Sequence, residues 1–136
     1  MKANELMIGD IVCFKRNKEY FRIWEIDDYR GVINNEPDGY YSETNINIDE
    51  IEPIQLTDDI LTANGFEYMC DEQIEYYNDK CVPHIHLRVC QYSPLELDWD
   101  GNWVLIHYVH QLQHILRLCG LKELANNLKI SNNYGK

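Results

Sequence analysis

Only one stretch of this chain, residues 107–119, sustains the apolar period of a long helix; everything before it is cut into short runs by turn residues. Leu6-Met-Ile-Gly9-Asp10 reads as a turn into a strand at Ile11-Val-Cys-Phe14. In Glu19-Tyr-Phe-Arg-Ile-Trp-Glu-Ile26, Tyr20, Arg22, Trp24 and Ile26 alternate with Phe21, Ile23 and Glu25, which is the period of a strand. Asp28-Tyr-Arg-Gly31 turns into Val32-Ile33, Asn34 to Gly39 is a loop of breakers, and Thr44 to Ile48 is a further short strand. Several short strands in so few residues point to a small antiparallel barrel or curled sheet.

Beyond the connector Ile51 to Leu56, Thr57 is placed to cap a short helix opening on Asp58-Asp59 and stopped by Gly65. A second set of strands is expected at Phe66 to Met69, Gln73 to Tyr77 and His84 to Gln91. Leu95, Leu97 and Trp99 alternate, and Asp100-Gly101 signals a hairpin returning through Trp103 to Ile106. Gly120 interrupts the long helix, Leu121, Leu124 and Leu128 mark a last amphipathic turn or two, and the tail from Ser131 is polar and expected to fray.

On a wheel of about 100° per residue, Tyr108, Val109, Leu112, Ile115, Leu116, Leu118 and Cys119 are assigned to one half of the long helix. His107, His110 and His114 cluster on the other, flanked by Gln111 and Arg117. The run His110-Gln-Leu-Gln-His114 is one substitution from the zinc-protease pattern HExxH, but Gln111 stands where the general base would be. Arg117 adds a cation where a metal would sit. His84 and His86 share a strand face, with nothing in the sequence to bring them near. The expectation is therefore no catalytic residues, no metal and no cofactor. His107, His110, His114 and Arg117 instead form a contact face for an anion or an acidic surface, the chain's own acidic middle among the options. Ser42, Ser93 and Ser131 lie in no nucleophile elbow, and no glycine loop is built to cradle phosphate.

Charge sharpens this division. The net charge is −11, yet from Gly31 to Asp79 there are 13 acids and no Lys or Arg, while from Gly101 onward Glu123 is the only acid. Such a surface repels phosphate backbones, so a protein partner is expected rather than nucleic acid. The alternative nucleic-acid reading would use Lys15, Arg16, Lys18 and Arg22 on the β unit. Cys13, Cys70, Cys81, Cys90 and Cys119 are odd in number and scattered, as reduced, mostly buried thiols would be. No apolar run approaches the roughly 18 residues of a membrane span, and Met1 to Leu6 lacks a signal-peptide core. A cytoplasmic location is the expectation; the oligomeric state is open.

Three segments carry a resemblance. Met1-Lys-Ala-Asn-Glu-Leu-Met-Ile-Gly-Asp-Ile-Val, Ile51-Glu-Pro-Ile-Gln-Leu-Thr-Asp-Asp-Ile-Leu-Thr-Ala-Asn-Gly-Phe66 and Tyr108-Val-His-Gln-Leu-Gln-His-Ile-Leu-Arg-Leu-Cys-Gly-Leu-Lys-Glu-Leu124 are similar to the start, middle and ending of a family of small uncharacterised proteins of Bacteroides-type bacteria and their phages or mobile elements. The resemblance implies a small cytoplasmic protein with no activity to carry over. Its ending resembles a VHxLQ helix in which the position of His114 is often another polar residue, which makes His110, Leu112 and Gln113 the more telling positions. The pattern Leu6-x-x-Gly9-Asp10-x-Val12 also resembles the first strand of SH3-like small barrels.

Together these readings predict an α+β protein. An SH3-like antiparallel β barrel spans residues 1–56. An α+β unit, an antiparallel sheet packed against a C-terminal amphipathic helix, spans residues 57–136. The expected role is that of a non-catalytic accessory protein binding a protein partner through its acidic surface or aromatic-rich sheet. The alternatives are a metal-dependent hydrolase with a degenerate HExxH-like helix and a nucleic-acid-binding small barrel.

Overall fold

In the computed structural model, residues 5–27, 32–35, 46–70, 73–78, 85–90, 96–99 and 102–130 are described. The turn at Asp28–Gly31, most of the Asn34–Gly39 loop, Thr44, Cys81, His84, the Asp100-Gly101 pair and the tail from Ser131 lie outside them.

The first half is an antiparallel sheet of β1 (Ile11–Phe14), β2 (Tyr20–Asp27), β3 (Val32–Asn35), β4 (Ile46–Asn47) and β5 (Ile51–Pro53), in the order β4-β3-β2-β1-β5. A single 3-10 turn, Ile48–Glu50, joins β4 to β5, its first turn held by the Asn47 side chain, which accepts from the Asp49 amide. The register of β2 against β3 shifts between Ile23 and Glu25, an irregularity that bends a strand. The barrel expected from the sequence is seen here as an open order: among the described residues no pairing joins β4 to β5. Strand β4 is only two residues long before the chain enters the 3-10 turn.

Strand β1 has no polar residue to turn outward, and both its faces are covered. Val12 and Phe14 pack with Leu6, Ile23, Ile46 and Ile51 inside the β unit. Ile11 and Cys13, on the opposite face by the two-residue period, belong to a larger cluster with Ile54, Leu56, Phe66, Leu97 and Leu112. One strand thus serves two apolar clusters.

Helix α1 (Asp58–Ala63) begins as its sequence predicts, with Thr57 Oγ1 accepting from the Ile60 amide at 3.3 Å and two aspartates in the first turn. Its end is tied down by Asn64, which donates to the carbonyls of Ile60 (2.7 Å) and Lys129 (2.9 Å) and accepts from the Lys129 amide (2.7 Å). The second sheet is a meander, β6 (Glu67–Cys70), β7 (Gln73–Asn78), β8 (Ile85–Cys90), β9 (Glu96–Trp99) and β10 (Asn102–Leu105), each strand antiparallel to the next. Trp99 pairs with Asn102, the register of a two-residue hairpin connection.

Helix α2 spans Val109–Leu118 and helix α3 Lys122–Asn126, separated at Gly120, whose φ is +82°. His107 therefore precedes the long helix. The start of α2 is held to the connector, with the Leu56 amide donating to the His107 carbonyl and the Val109 amide to that of Ile54, both at 2.9 Å. Leu118, expected on the apolar half, is 70% exposed. Seven residues after Gln111 is about two full turns, which returns it to the side of that half-buried glutamine. No helix among the described residues is long and apolar enough to cross a membrane.

Cys13 is fully buried, and desolvation, reinforced by nearby Glu52 against the opposing pull of Lys18, pushes its thiol up to about 11. Burial also raises the Cys119 thiol. Thiolate is the reactive form. Alkylation of Cys13 by iodoacetamide at pH 8, followed by peptide mass spectrometry, is expected to be at least about tenfold slower in the folded than in the urea-unfolded chain. Equal rates would show that this face of β1 is open.

Candidate functional site

The turn before β1 is closed by its own aspartate. The Asp10 amide donates to the Met7 carbonyl (3.1 Å), and the Met7 amide donates back to Asp10 Oδ2 (2.8 Å). Gly9 takes a φ of +93°, which glycine adopts without steric cost. The turn is locked onto β2 through the Gly9 amide to the Ile23 carbonyl (2.8 Å) and the Ile23 amide to the Asp10 carbonyl (2.9 Å).

This geometry drives the Asp10 carboxylate inward, where it has no exposure, and α2 meets it there. His114 Nε2 lies 2.7 Å from Oδ2 and Arg117 Nη1 lies 2.7 Å from Oδ1. A carboxylate only accepts, so Nε2 is the protonated nitrogen of His114. With Met7, both oxygens are satisfied, the condition under which a buried carboxylate persists.

Gln113, one turn before Arg117, is also without exposure. Its Oε1 accepts from the Ile11 amide (2.9 Å), and its Nε2 donates to the carbonyls of Gly9 (3.0 Å) and Ala125 (2.8 Å). One amide group thereby joins the head of β1, helix α2 and helix α3. Gln111 acts at the other end of α2, where its Oε1 accepts from the amides of His107 (2.7 Å) and Tyr108 (3.1 Å) and closes the first turn as a capping carboxylate would.

The four residues expected to form one contact face are thus divided. His107 is exposed, its ring centroid 6.0 Å from that of Tyr108. His110 is buried, stacked on Tyr108 at 5.8 Å and edge-on to His114 at 5.7 Å. His114 and Arg117 reach Asp10, which lies in the N-terminal turn and outside the acidic middle. Gln111, Gln113 and His114 of the HQLQH run serve capping, anchoring and ion pairing in turn, and among the described residues no three His, Cys, Asp or Glu side chains are grouped to hold a metal ion. Of the two other histidines, His86 is opposite Tyr77 on β8, and His84 lies outside the described residues. Sequence reasoning missed Asp10 and the anchoring role of Gln113. The Gly9-Asp10 turn was visible, but its carboxylate's second partner set was not.

The same turn borders a groove of about 540 Å³ between β2, the end of α2 and α3. Met7, Ile8 and Trp24 supply its apolar lining, and Arg22, Arg117 and Lys122 its cations. A Cβ on Gly9 would come within 3.0 Å of Arg117 Nη2 and 3.2 Å of Asn126 Oδ1, so the glycine allows the guanidinium to lie against the turn. Met7, Ile8 and Trp24 are 45%, 63% and 49% exposed, unusual for large apolar side chains gathered around one concavity. Comparison of the chain with known protein families, with curated proteins and with solved structures finds no match.

Removing one partner of a buried carboxylate leaves an uncompensated charge. Arg117→Met is therefore expected to lower the unfolding free energy by about 3 kcal/mol, measured by urea denaturation. A change within error would mean that Asp10 reaches water.

His110 should also give a pH signature. Its Nδ1 is buried with no hydrogen-bond partner among the described residues. Burial lowers its pKa below the ordinary 6.5; His114 acts in the same direction, and Asp10 and Glu5 oppose both. Well above pH 6.5 both folded and unfolded chains are neutral at this position. As the pH falls, the unfolded chain takes up the proton first, so stability declines from the unfolded pKa down through the folded one. His110→Phe is expected to flatten this decline in denaturation midpoints measured below about pH 6.5; an unchanged pH slope would assign the decline to other groups.

Proposed function

We propose that this protein is a non-catalytic accessory protein, of the phage or mobile-element kind its sequence resembles, that acts by holding a protein partner. The observation that carries this reading is the groove beside the Asp10 junction, which offers cationic and amide donors next to exposed apolar side chains. Donors and apolar surface are the means of binding an acceptor-rich ligand; the dimensions fall in the usual range for a ligand-binding concavity. The groove is set on rigid elements, because its floor is the turn pinned by Asp10, Gln113 and Arg117.

The β unit is read as SH3-like. The order β4-β3-β2-β1-β5 and the 3-10 turn leading into β5 support that likeness, which would not by itself assign a function. Two of the three cations of the β1–β2 turn are engaged within the unit: Arg16 lies over the Phe14 ring at 4.3 Å and Lys18 pairs with Glu52. In the acidic middle, Asp49, Glu50, Asp59 and Glu67 are exposed, which suits a further acidic face without making it the primary site.

Affinity purification from the source cells with quantitative mass spectrometry is expected to recover a protein with the wild-type chain and to lose it with Trp24→Ala and Lys122→Glu. Recovery of nucleic acid instead, or of partners indifferent to both substitutions, would overturn this reading.

A further inference from the structure

Of the sheet edges among the described residues, three are blunted in ways that discourage further pairing. Strand β4 is two residues long, and β5 and β6 carry Glu52 and Glu67. The fourth edge, β10, reads Asn102-Trp-Val-Leu105 and carries no charge. Trp103 and Leu105 are each 52% exposed, while Val104 between them packs against the core. Trp99 and Asn102 stand in the register of a two-residue connection, so their amides and carbonyls face each other, and by alternation so do those of Leu97 and Val104. The amides and carbonyls of Trp103 and Leu105 then point away from β9, to the side on which the His107 carbonyl and the Val109 amide bond to the connector. Among the described residues no backbone hydrogen bond reaches them. The edge thus presents two donors, two acceptors and two large apolar side chains in one extended row.

Charge selects what pairs there. The register carries Trp103 across the sheet to Asp98, Arg88, Glu75 and Glu67, and carries Leu105 to Glu96. These positions hold four acids against one arginine, and Glu67 and Glu96 are exposed. A second copy of the chain would set the same acids, and a net charge of −11, against themselves. We propose that the β10 edge receives an extended segment of a basic protein partner as an added strand. The segment's backbone completes the ladder with Trp103 and Leu105. Its lysine or arginine side chains lie over the Trp103 indole and reach toward Glu96, and its alternate, apolar residues lie beside Val104. This surface is separate from the groove and does not depend on what fills the groove.

The test uses the full chain and fluorescence anisotropy at low ionic strength. The probe is a labelled octapeptide of alternating lysine and valine. One comparator has glutamate in place of every lysine. Another keeps the lysines but carries N-methyl groups on their amides, which removes the donors that would face β10 without changing the charge. The lysine–valine peptide is expected to bind, with affinity falling about tenfold for Trp103→Thr and several-fold for Glu96→Gln. Raising the salt is expected to weaken it further. Trp24→Ala, in the groove, is expected to leave it unchanged. The substituted side chains are exposed, and threonine suits a strand. Unchanged circular dichroism and thermal midpoints confirm that the fold is retained, and Leu105→Thr provides a second variant of the edge. Equal binding of the glutamate or the N-methylated peptide, indifference to both edge variants, or no peptide binding overturns the proposal. A dimer seen by sedimentation and abolished by Trp103→Thr would assign the edge to a second copy and overturn it as well.

Discussion

The carboxylate of Asp10 is the constraint around which the rest of this molecule is arranged. A charge without solvent exposure must have both its oxygens answered by donors or it will take up a proton or open the structure. Here the answers come from three places in the chain: the amide of Met7 at the head of β1, and His114 and Arg117 one turn apart on α2. Gln113 precedes both on the same helix and binds the backbone of Gly9 and Ile11. Side chains of α2 thus read the polypeptide backbone of the N-terminal turn much as a neighbouring strand would. That is why a helix near the end of the sequence and a turn near its beginning form one surface.

Packing reinforces the same junction. Strand β1 is apolar at every position, so it cannot stand at a solvent-facing surface. Val12 and Phe14 complete the β unit, and Ile11 and Cys13 complete the cluster built on α2. The connector at Ile54 and Leu56 contributes to the second cluster and holds the start of α2 by two backbone hydrogen bonds. Polar and apolar contacts thereby agree on one placement of the helix, and the groove walls inherit that rigidity.

Many of the expected elements follow from local signals and are seen where the chain is described, though Ile51–Pro53, expected as connector, forms strand β5 against β1, and Ile48, expected in a strand, opens a 3-10 turn. Thr57 caps α1, Gly120 separates α2 from α3, and β9 returns into β10 in the register of a two-residue connection. The arrangement as α+β follows from these. The site was legible only in part. The histidines and Arg117 were marked by spacing, but a wheel reports which side of a helix is polar and not what that side meets. A polar stripe packed on a buried carboxylate and one facing water have the same periodicity. Leu118 shows the converse, an apolar residue left exposed because its position along the helix carries it away from the core.

By itself, the sequence determined the short strands, the caps, the long amphipathic helix, the unbroken apolar run of β1 and the contrast between an acidic middle and a basic end. Each of these depends on residues close to one another along the chain, where backbone geometry and charge act directly. Only the tertiary structure decided that Asp10 is the partner of His114 and Arg117, that Gln113 anchors β1, that His110 is enclosed, and that Arg22, Trp24 and Lys122 border one groove. Asp10 and its two helix partners are separated by 104 and 107 positions, and such meetings are set by the path of the chain between them, which local spacing does not encode.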